Sequence, residues 1–330
     1  MKPYLAVTVL GVVLAGSGTA ADPELVTSNQ MMPSHGATIA KTVVSSRLRL
    51  IFFVGLEGSG HHFAREAFEG VFEDHDDLQE VDECNITSSI YLPQAWNGTA
   101  VHYRKKRDSL RSEMRKLAAL EKDLQAPGSF LTVQRTNRAQ IKRCGKGPEY
   151  SYPNGHGPDK ALTFVDLQLL AQLAEEEGVD FRILYLQRSA KDLMVSDISH
   201  RHFHDHILGK DAEDSRRDEV KFLHYSQILL ESAAIVHSSL SELSPGFVVC
   251  NFYHDMADKE QARKIANFLS PNEVVGAYLE DSLLKHARLR NSTVEDLPYP
   301  DAFAVTERIQ RKLNVIEMQH CGRRALHEGM

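Results

Sequence analysis

The chain has no overall excess of positive charge. Its 330 residues include 38 Lys and Arg against 45 Asp and Glu, which gives a net charge of −7 with neutral histidine. A protein that coats nucleic acid needs a basic surface, so we expect no nucleic-acid partner. Apolar residues make up 42% and charged residues 25%. These values are near the averages for globular proteins and exclude a collagenous, low-complexity or wholly disordered chain.

Long hydrophobic runs are also missing after the first 21 residues. At the N-terminus, one Lys precedes an apolar run from Tyr4 to Ala15, and small residues follow up to Ala21. This arrangement is typical of a signal peptide. The run is shorter than the roughly 20 apolar residues of a membrane span. Cleavage after Ala20 or Ala21 is therefore favoured over a signal-anchor, and we expect membrane contact only if the segment is not cleaved.

Cysteine is scarce, and its spacing does not resemble a zinc site. An even number in an oxidising compartment allows two disulfides with three connectivities, although Cys250, in an apolar run, equally fits a buried free thiol. N-glycosylation sequons begin at Asn85, Asn97 and Asn291. We therefore expect a disulfide-bonded glycoprotein of the secretory pathway, in the Golgi lumen or secreted. The four cysteines are Cys84, Cys144, Cys250 and Cys321.

The pattern along the chain predicts a signal segment at 1–21, a linker at 22–46 and a single α/β domain at 47–330. Short β-favouring apolar runs alternate with amphipathic helical segments. This alternation predicts a doubly wound parallel sheet flanked by helices. The predicted strands cover 48–54, 128–134, 181–186 and 247–252. The predicted helices cover 61–72, 104–124, the segment between Pro158 and Gly178, 193–198, 220–240, 259–269 and the tail after Pro300.

The most specific motif is the loop Gly55-Leu-Glu-Gly-Ser-Gly-His-His between the first strand and the first helix. Glycine lets the backbone turn sharply, so that consecutive N–H groups and the helix N-terminus form an anion cradle. The spacing matches the phosphate loop Gly-x-x-x-x-Gly-Lys-[Ser/Thr]. His61 and His62 replace the Lys and the hydroxyl that serve the β/γ-phosphates and Mg²⁺. We therefore predict that the loop binds phosphate but that the chain is not a magnesium-dependent NTPase. The alternative interpretation of the loop is an ordinary glycine-rich turn.

A second motif places Arg188 directly after the third predicted strand and Ser196 eight residues later on a helix. Ligands of open α/β sheets bind outside the carboxyl ends of the strands, so Arg188 should face the same crevice as the loop. Its guanidinium offers a bidentate fork for phosphate, and Ser196 adds a hydroxyl donor. An NTPase needs an acidic residue near the carboxyl edge of the sheet to hold Mg²⁺. Asp166 is a candidate for it, but the periodicity around this residue predicts a helix.

The loop at 55–62 is similar to the 5′-phosphosulfate-binding loop of the sulfotransferase family, Gly-x-x-x-Ser-Gly-Thr-Thr. Ser59 and Gly60 match it, and His61 and His62 replace the two Thr. Arg188 and Ser196 resemble the 3′-phosphate motif of that family. Residues 252–256 and the helix that follows resemble its late strand–helix unit.

This resemblance spans residues 48–270 and implies a phosphate-loop NTPase-like fold with 3′-phosphoadenosine 5′-phosphosulfate as the donor. It implies transfer of the sulfuryl group to a hydroxyl or amine acceptor, without a metal. At Gly58 the family usually carries Lys or Arg, which contacts the sulfuryl group. Here a histidine of the loop or a distant cation replaces that charge, or activity is reduced. The distant candidates are Arg135, Arg138 and Lys142, and the implied donor-binding residues are Gly55, Gly58, Ser59, Gly60, His61, His62, Arg188 and Ser196.

An acceptor hydroxyl must lose a proton, so a general base is expected. His61 and His62 lie in the loop and titrate near neutrality, although either equally fits a capping or core role. Lumenal members of the family often use a carboxylate after the first helix, which makes Glu80 a third candidate. The alternative functions are a lumenal kinase-like phosphotransferase, which would need Mg²⁺ ligands, and a catalytically degenerate secreted nucleotide-binding protein.

Positive charge is concentrated between Val101 and Lys146, with 13 Lys and Arg against 4 Asp and Glu. This face suits an acidic acceptor such as a sulfated or uronate glycan, or is a solvated helix surface. A histidine-rich stretch at 200–206 is interpreted as polar surface rather than metal ligands. The basic face is formed by Arg104, Lys105, Lys106, Arg107, Arg111, Arg115 and Lys116.

Overall fold

The computed structural model describes residues 49–73, 91–93, 100–123, 130–133, 163–199, 216–270, 273–287 and 300–322. The predicted signal segment and linker, the three sequons, Glu80 and the histidines at 200–206 lie outside these ranges. The strands are β1 (Arg49–Val54), β2 (Tyr91–Pro93), β3 (Phe130–Val133), β4 (Thr163–Val165), β5 (Asp180–Gln187) and β6 (Val248–Phe252). The helices are α1 (His61–Glu73), α2 (Ala100–Asp123), α3 (Leu167–Glu177), α4 (Ala190–Ser199), α5 (Arg216–Ser241), α6 (Lys259–Leu269), α7 (Glu273–His286) and α8 (Pro300–Ile316).

Four strands form a parallel sheet in the order β3-β1-β5-β6. Side chains of a strand alternate between the two faces of its sheet. In β1, Leu50, Phe52 and Val54 accordingly enter one hydrophobic core, while Ile51 and Phe53 enter the other. Because the strands run parallel, the segments that follow β1, β5 and β6 all leave the sheet at the same edge.

Helices cover the sheet through two separate apolar clusters. One cluster contains side chains of α2, α3, α4, α5 and α8, and the other contains side chains of α1, α6 and α7. The predicted α/β chain with a parallel sheet flanked by helices is confirmed at this level. Among the described residues, none of the helices combines the length and the apolar character that a bilayer crossing requires.

The segment before α3 differs from the prediction. Residues 163–165 are not helical but form β4, which pairs antiparallel with β2 in a separate two-stranded sheet. Three residues are too few for strand alternation to stand out against a helical pattern. Asp166 then caps α3, with its Oδ1 accepting from the Leu169 N–H at 2.9 Å and its Oδ2 accepting from the Tyr103 hydroxyl at 3.1 Å.

The end of the chain packs against the carboxyl edge of the sheet. α8 continues into a π-helical turn, Glu317–Cys321, and a disulfide joins Cys321 to Cys250 of β6. The side chain of Gln187 donates to Glu317, and the Ala190 N–H donates to Gln310 Oε1 at 2.8 Å. Of the two interpretations of Cys250, the structure therefore shows the disulfide. The helix α7 has no counterpart in the prediction.

Candidate anion-binding site

The loop between β1 and α1 turns sharply at two of its glycines. Gly58 has φ +79° and Gly60 has φ +112°, conformations that are strained for residues with a side chain. The Ser59 N–H donates to the Leu56 carbonyl at 3.1 Å and closes a turn. The first N–H groups of α1 have no acceptor within their own helix. The loop therefore presents N–H donors and the positive end of a helix dipole at one place.

Close packing on two sides holds the loop in this shape. A Cβ atom at Gly55 would overlap the Ser59 hydroxyl and lie 2.8 Å from the Leu186 carbonyl oxygen of β5. A Cβ at Gly60 would lie 2.8 Å from Met256 Cε, on the segment that follows β6. Glycine at these positions lets the loop lie directly against β5 and against the segment 253–256.

His61 points back into the loop. Its ring is 5% exposed, and Nε2 lies 3.1 Å from the Gly55 carbonyl oxygen and 3.2 Å from that of Leu56. Carbonyl oxygens only accept, so Nε2 carries the proton that is shared between them. Burial lowers the pKa of His61, although the negative charge of Glu57 opposes this shift. The imidazole is therefore neutral near pH 7 and stabilises the loop backbone.

Arg188 lies over the loop. Its Nη1 donates to the Gly58 carbonyl at 3.1 Å, and its guanidinium carbon lies 4.1 Å from the centre of the Tyr253 ring. The side chain is 8% exposed, and its buried Nε has no hydrogen-bond partner within the described part of the chain. The cation is thus held between an aromatic face and the loop, and its Nε–H makes no hydrogen bond to the described residues.

Two buried residues of helix α4 lie next to Gly58. A Cβ at Gly58 would lie 3.1 Å from Ser196 Cβ, from Ser196 Oγ and from Asp197 Oδ1. Ser196 is 9% exposed and Asp197 is 0% exposed. A Lys at position 58 would meet these atoms and the positive φ as well. The local geometry therefore explains why a cation is missing from this position.

The structure brings most of the predicted donor-binding residues together at one edge of the sheet. The loop glycines, Ser59, His61, Arg188 and Ser196 surround Gly58 or contact the loop. His62 is exposed at the start of α1. Asp197 was missed, yet it lies three residues after the buried Met194 and four after Leu193, and this spacing places it on the buried face of α4.

The basic face of α2 is partly neutralised by the end of α3. Arg111 pairs with Glu176 at 2.5 Å, and Arg115 pairs with Glu177 at 3.0 Å. Lys116 pairs with Glu113 of its own helix at 2.8 Å. Exposed pairs of this kind contribute little to stability. They do reduce the positive charge that this half of the face can offer to an acidic acceptor.

Comparison with models of known protein families finds no match. Comparison with curated protein sequences finds no significant similarity either. In the part of the chain that the structure describes, no group of three or more His, Cys, Asp and Glu side chains is arranged to hold a metal ion.

Proposed function

We propose that this chain is a sulfotransferase that transfers a sulfuryl group from 3′-phosphoadenosine 5′-phosphosulfate to a hydroxyl or amine acceptor. In this proposal the chain has a phosphate-loop NTPase-like fold with a doubly wound sheet, and the loop at 55–60 binds the 5′-phosphosulfate. Arg188 and Ser196 bind the second phosphate. We further propose a lumenal or secreted location, which a disulfide between Cys250 and Cys321 supports because such bonds persist in oxidising compartments.

The observation that carries the proposal is the contact between Arg188 and the loop. The two residues joined by the 3.1 Å hydrogen bond, Arg188 and Gly58, are 130 positions apart in the sequence. A loop of glycines with positive φ occurs in many turns, and an Arg after a strand has many uses. Their contact, beside Ser196, supports a ligand that carries two phosphates, because a guanidinium and backbone N–H groups both donate to phosphate oxygens.

The residues present fit such a donor in two respects. The buried Nε of Arg188 is a donor without a partner in the described chain, so it can donate a hydrogen bond to an anionic oxygen. Gly58 and Gly60 leave the cradle free of side-chain bulk. When bound, the donor supplies a sulfuryl group on a good leaving group, so that positioned hydrogen-bond donors and positive charge can stabilise the transfer.

We propose that a group other than His61 removes the proton from the acceptor. The Nε2–H of His61 already donates to loop carbonyls, and its ring is buried. We propose that His61 shapes the cradle, and that His62, exposed at the first residues of α1, is the candidate base within the described chain. Glu80, outside the described residues, stays a prediction.

Isothermal titration calorimetry with 3′-phosphoadenosine 5′-phosphate tests the proposal. We expect the wild-type protein to bind this bisphosphate without Mg²⁺ and more tightly than ATP with Mg²⁺. Arg188→Ala should lower the affinity at least about tenfold, because hydrogen bonds to charged groups contribute about 1.5–3 kcal/mol.

The matched control is Arg182→Ala. Arg182 lies on β5, the strand that Arg188 directly follows, and its guanidinium also lies over an aromatic ring, that of Phe268, at 5.0 Å. Its replacement should leave the affinity unchanged. Preference for ATP with Mg²⁺ would favour the kinase-like alternative. Absence of nucleotide binding would favour a degenerate binding protein.

A further inference from the structure

A buried carboxyl group lies directly behind the proposed anion cradle. Asp197 of α4 is 0% exposed, and neither of its side-chain oxygens has a hydrogen-bond partner among the described residues. Its Oδ1 lies 3.1 Å from the position that a Cβ of Gly58 would occupy. Nothing in the proposed sulfuryl transfer uses this group. A carboxylate beside an anion site also works against binding.

An ionised carboxylate that is buried without hydrogen bonds is strongly destabilising, so such a group usually keeps its proton. Among the residues that the structure describes, two charged groups act on Asp197. Glu57 of the loop is 8% exposed and adds a second negative charge, and Arg188 adds the opposing positive one. Burial first, and then Glu57, raise the pKa of Asp197 well above its usual range, while Arg188 lowers it.

The proton on Asp197 decides what Arg188 can do. With the proton present, the guanidinium has no anionic partner in Asp197 and contacts the Gly58 carbonyl and the Tyr253 ring. Without it, an anion would lie buried close to the same guanidinium and would attract it into an ion pair. The ligand would then have to compete with Asp197 for the cation, beside the negative charges of both Asp197 and Glu57.

We propose that Asp197 is a positioning residue that must carry a proton for the loop to bind an anion, because its ionised form would compete with the ligand for Arg188. The inference rests on the proposed anion site, but not on the identity of the nucleotide. Anion binding then takes up protons, and affinity is highest at low pH. It falls as the pH rises through the pKa of Asp197 in the unliganded protein.

The experiment measures the proton count and the pH dependence of binding from pH 6 to pH 8.5. Calorimetric titrations in buffers of different ionisation enthalpy use two probes, 3′-phosphoadenosine 5′-phosphate and inorganic sulfate. Sulfate stays a dianion across this range, so any protons taken up on its binding leave the buffer and are bound by the protein. For one coupled proton, wild-type affinity should fall by up to about tenfold per pH unit above that pKa.

Asp197→Asn keeps the shape of the protonated side chain and removes the titration. This variant should take up fewer protons and show a flatter pH profile, with higher affinity than wild type at pH 8.5. Asp192→Asn is the matched control on the same helix, where the carboxylate accepts from the Ser189 hydroxyl at 2.7 Å. It should keep the wild-type profile.

The outcomes distinguish the proposed role of Asp197 from the proposed sulfotransferase function. Parallel pH profiles for wild type and Asp197→Asn, with the bisphosphate bound, would overturn the role of Asp197 and leave the proposed function standing. Sulfate binding with proton uptake, but no bisphosphate binding, would do the opposite. Binding that needs Mg²⁺ and is lost in Asp197→Asn would make Asp197 a metal ligand and overturn the inference.

Two further outcomes also overturn the inference. One is binding of neither anion by the wild-type protein, and the other is sulfate binding without proton uptake at every pH at which the protein stays folded. This last result needs no variant, so the inference remains testable if Asp197→Asn does not fold.

Discussion

Loss of the Cys250–Cys321 disulfide should lower the free energy of unfolding by about 4 kcal/mol. The bond closes a loop across a sequence separation of 71 residues. In the chain-entropy description, a cross-link of that span lowers the conformational entropy of the unfolded chain and so raises its free energy by about this amount. The variants Cys250→Ala and Cys321→Ala, measured singly and together by urea unfolding, test it. Their m-values should rise, because an unfolded chain without the cross-link exposes more surface.

The double variant supplies the control. Either single substitution already breaks the bond, so each should lose nearly the full amount, and the pair should lose little more. If the two single effects add, the side chains act through their separate packing contacts, and the cross-link is not the cause. The bond also holds the turn that follows α8 against β6. Its β6 residue, Cys250, lies three residues before Tyr253, whose ring contacts Arg188. We therefore expect weaker bisphosphate binding in the same variants.

Gly58→Ala should lower the free energy of unfolding by about 2–5 kcal/mol. The positive φ of +79° accounts for about 1–2 kcal/mol. The remainder, about 1–3 kcal/mol, comes from overpacking. The new Cβ would lie 3.1 Å from atoms of Ser196 and Asp197, and the Asp197 atom among them is a buried oxygen. Urea unfolding measures the loss, and bisphosphate titration of the variant should show reduced affinity.

Gly178→Ala is the matched control for Gly58→Ala. Gly178 ends α3 with φ +81°, and a Cβ there would have no atom within 4 Å. It therefore isolates the strain of the backbone conformation, and it should not change nucleotide affinity. Equal losses of stability in the two variants would show that α4 moves away from the new methyl group, and would contradict the close approach that excludes a loop cation.

Elements with a strong local signal were predictable. β1, β5 and β6 are buried on both faces, so they form nearly continuous apolar runs. α6 begins and ends at the predicted residues, and its start is capped by Asp258, whose Oδ1 accepts from the Gln261 N–H at 2.7 Å. β4 and α7 were not predictable in the same way. β4 has three residues, and α7 packs partly through small side chains such as Gly276 and Ser282.

The sequence by itself determined where the buried strands lie, where the chain turns on glycine, and which charged side chain follows β5. These are local properties, since burial, turn conformation and helix capping depend on residues close together in the chain. Only the tertiary structure decided that Arg188 contacts Gly58, that Asp197 lies behind the loop, and that Cys250 pairs with Cys321. Such contacts join residues far apart in the sequence. They are set by the order of parallel strands and by the helices that pack on them, and no short pattern contains that information.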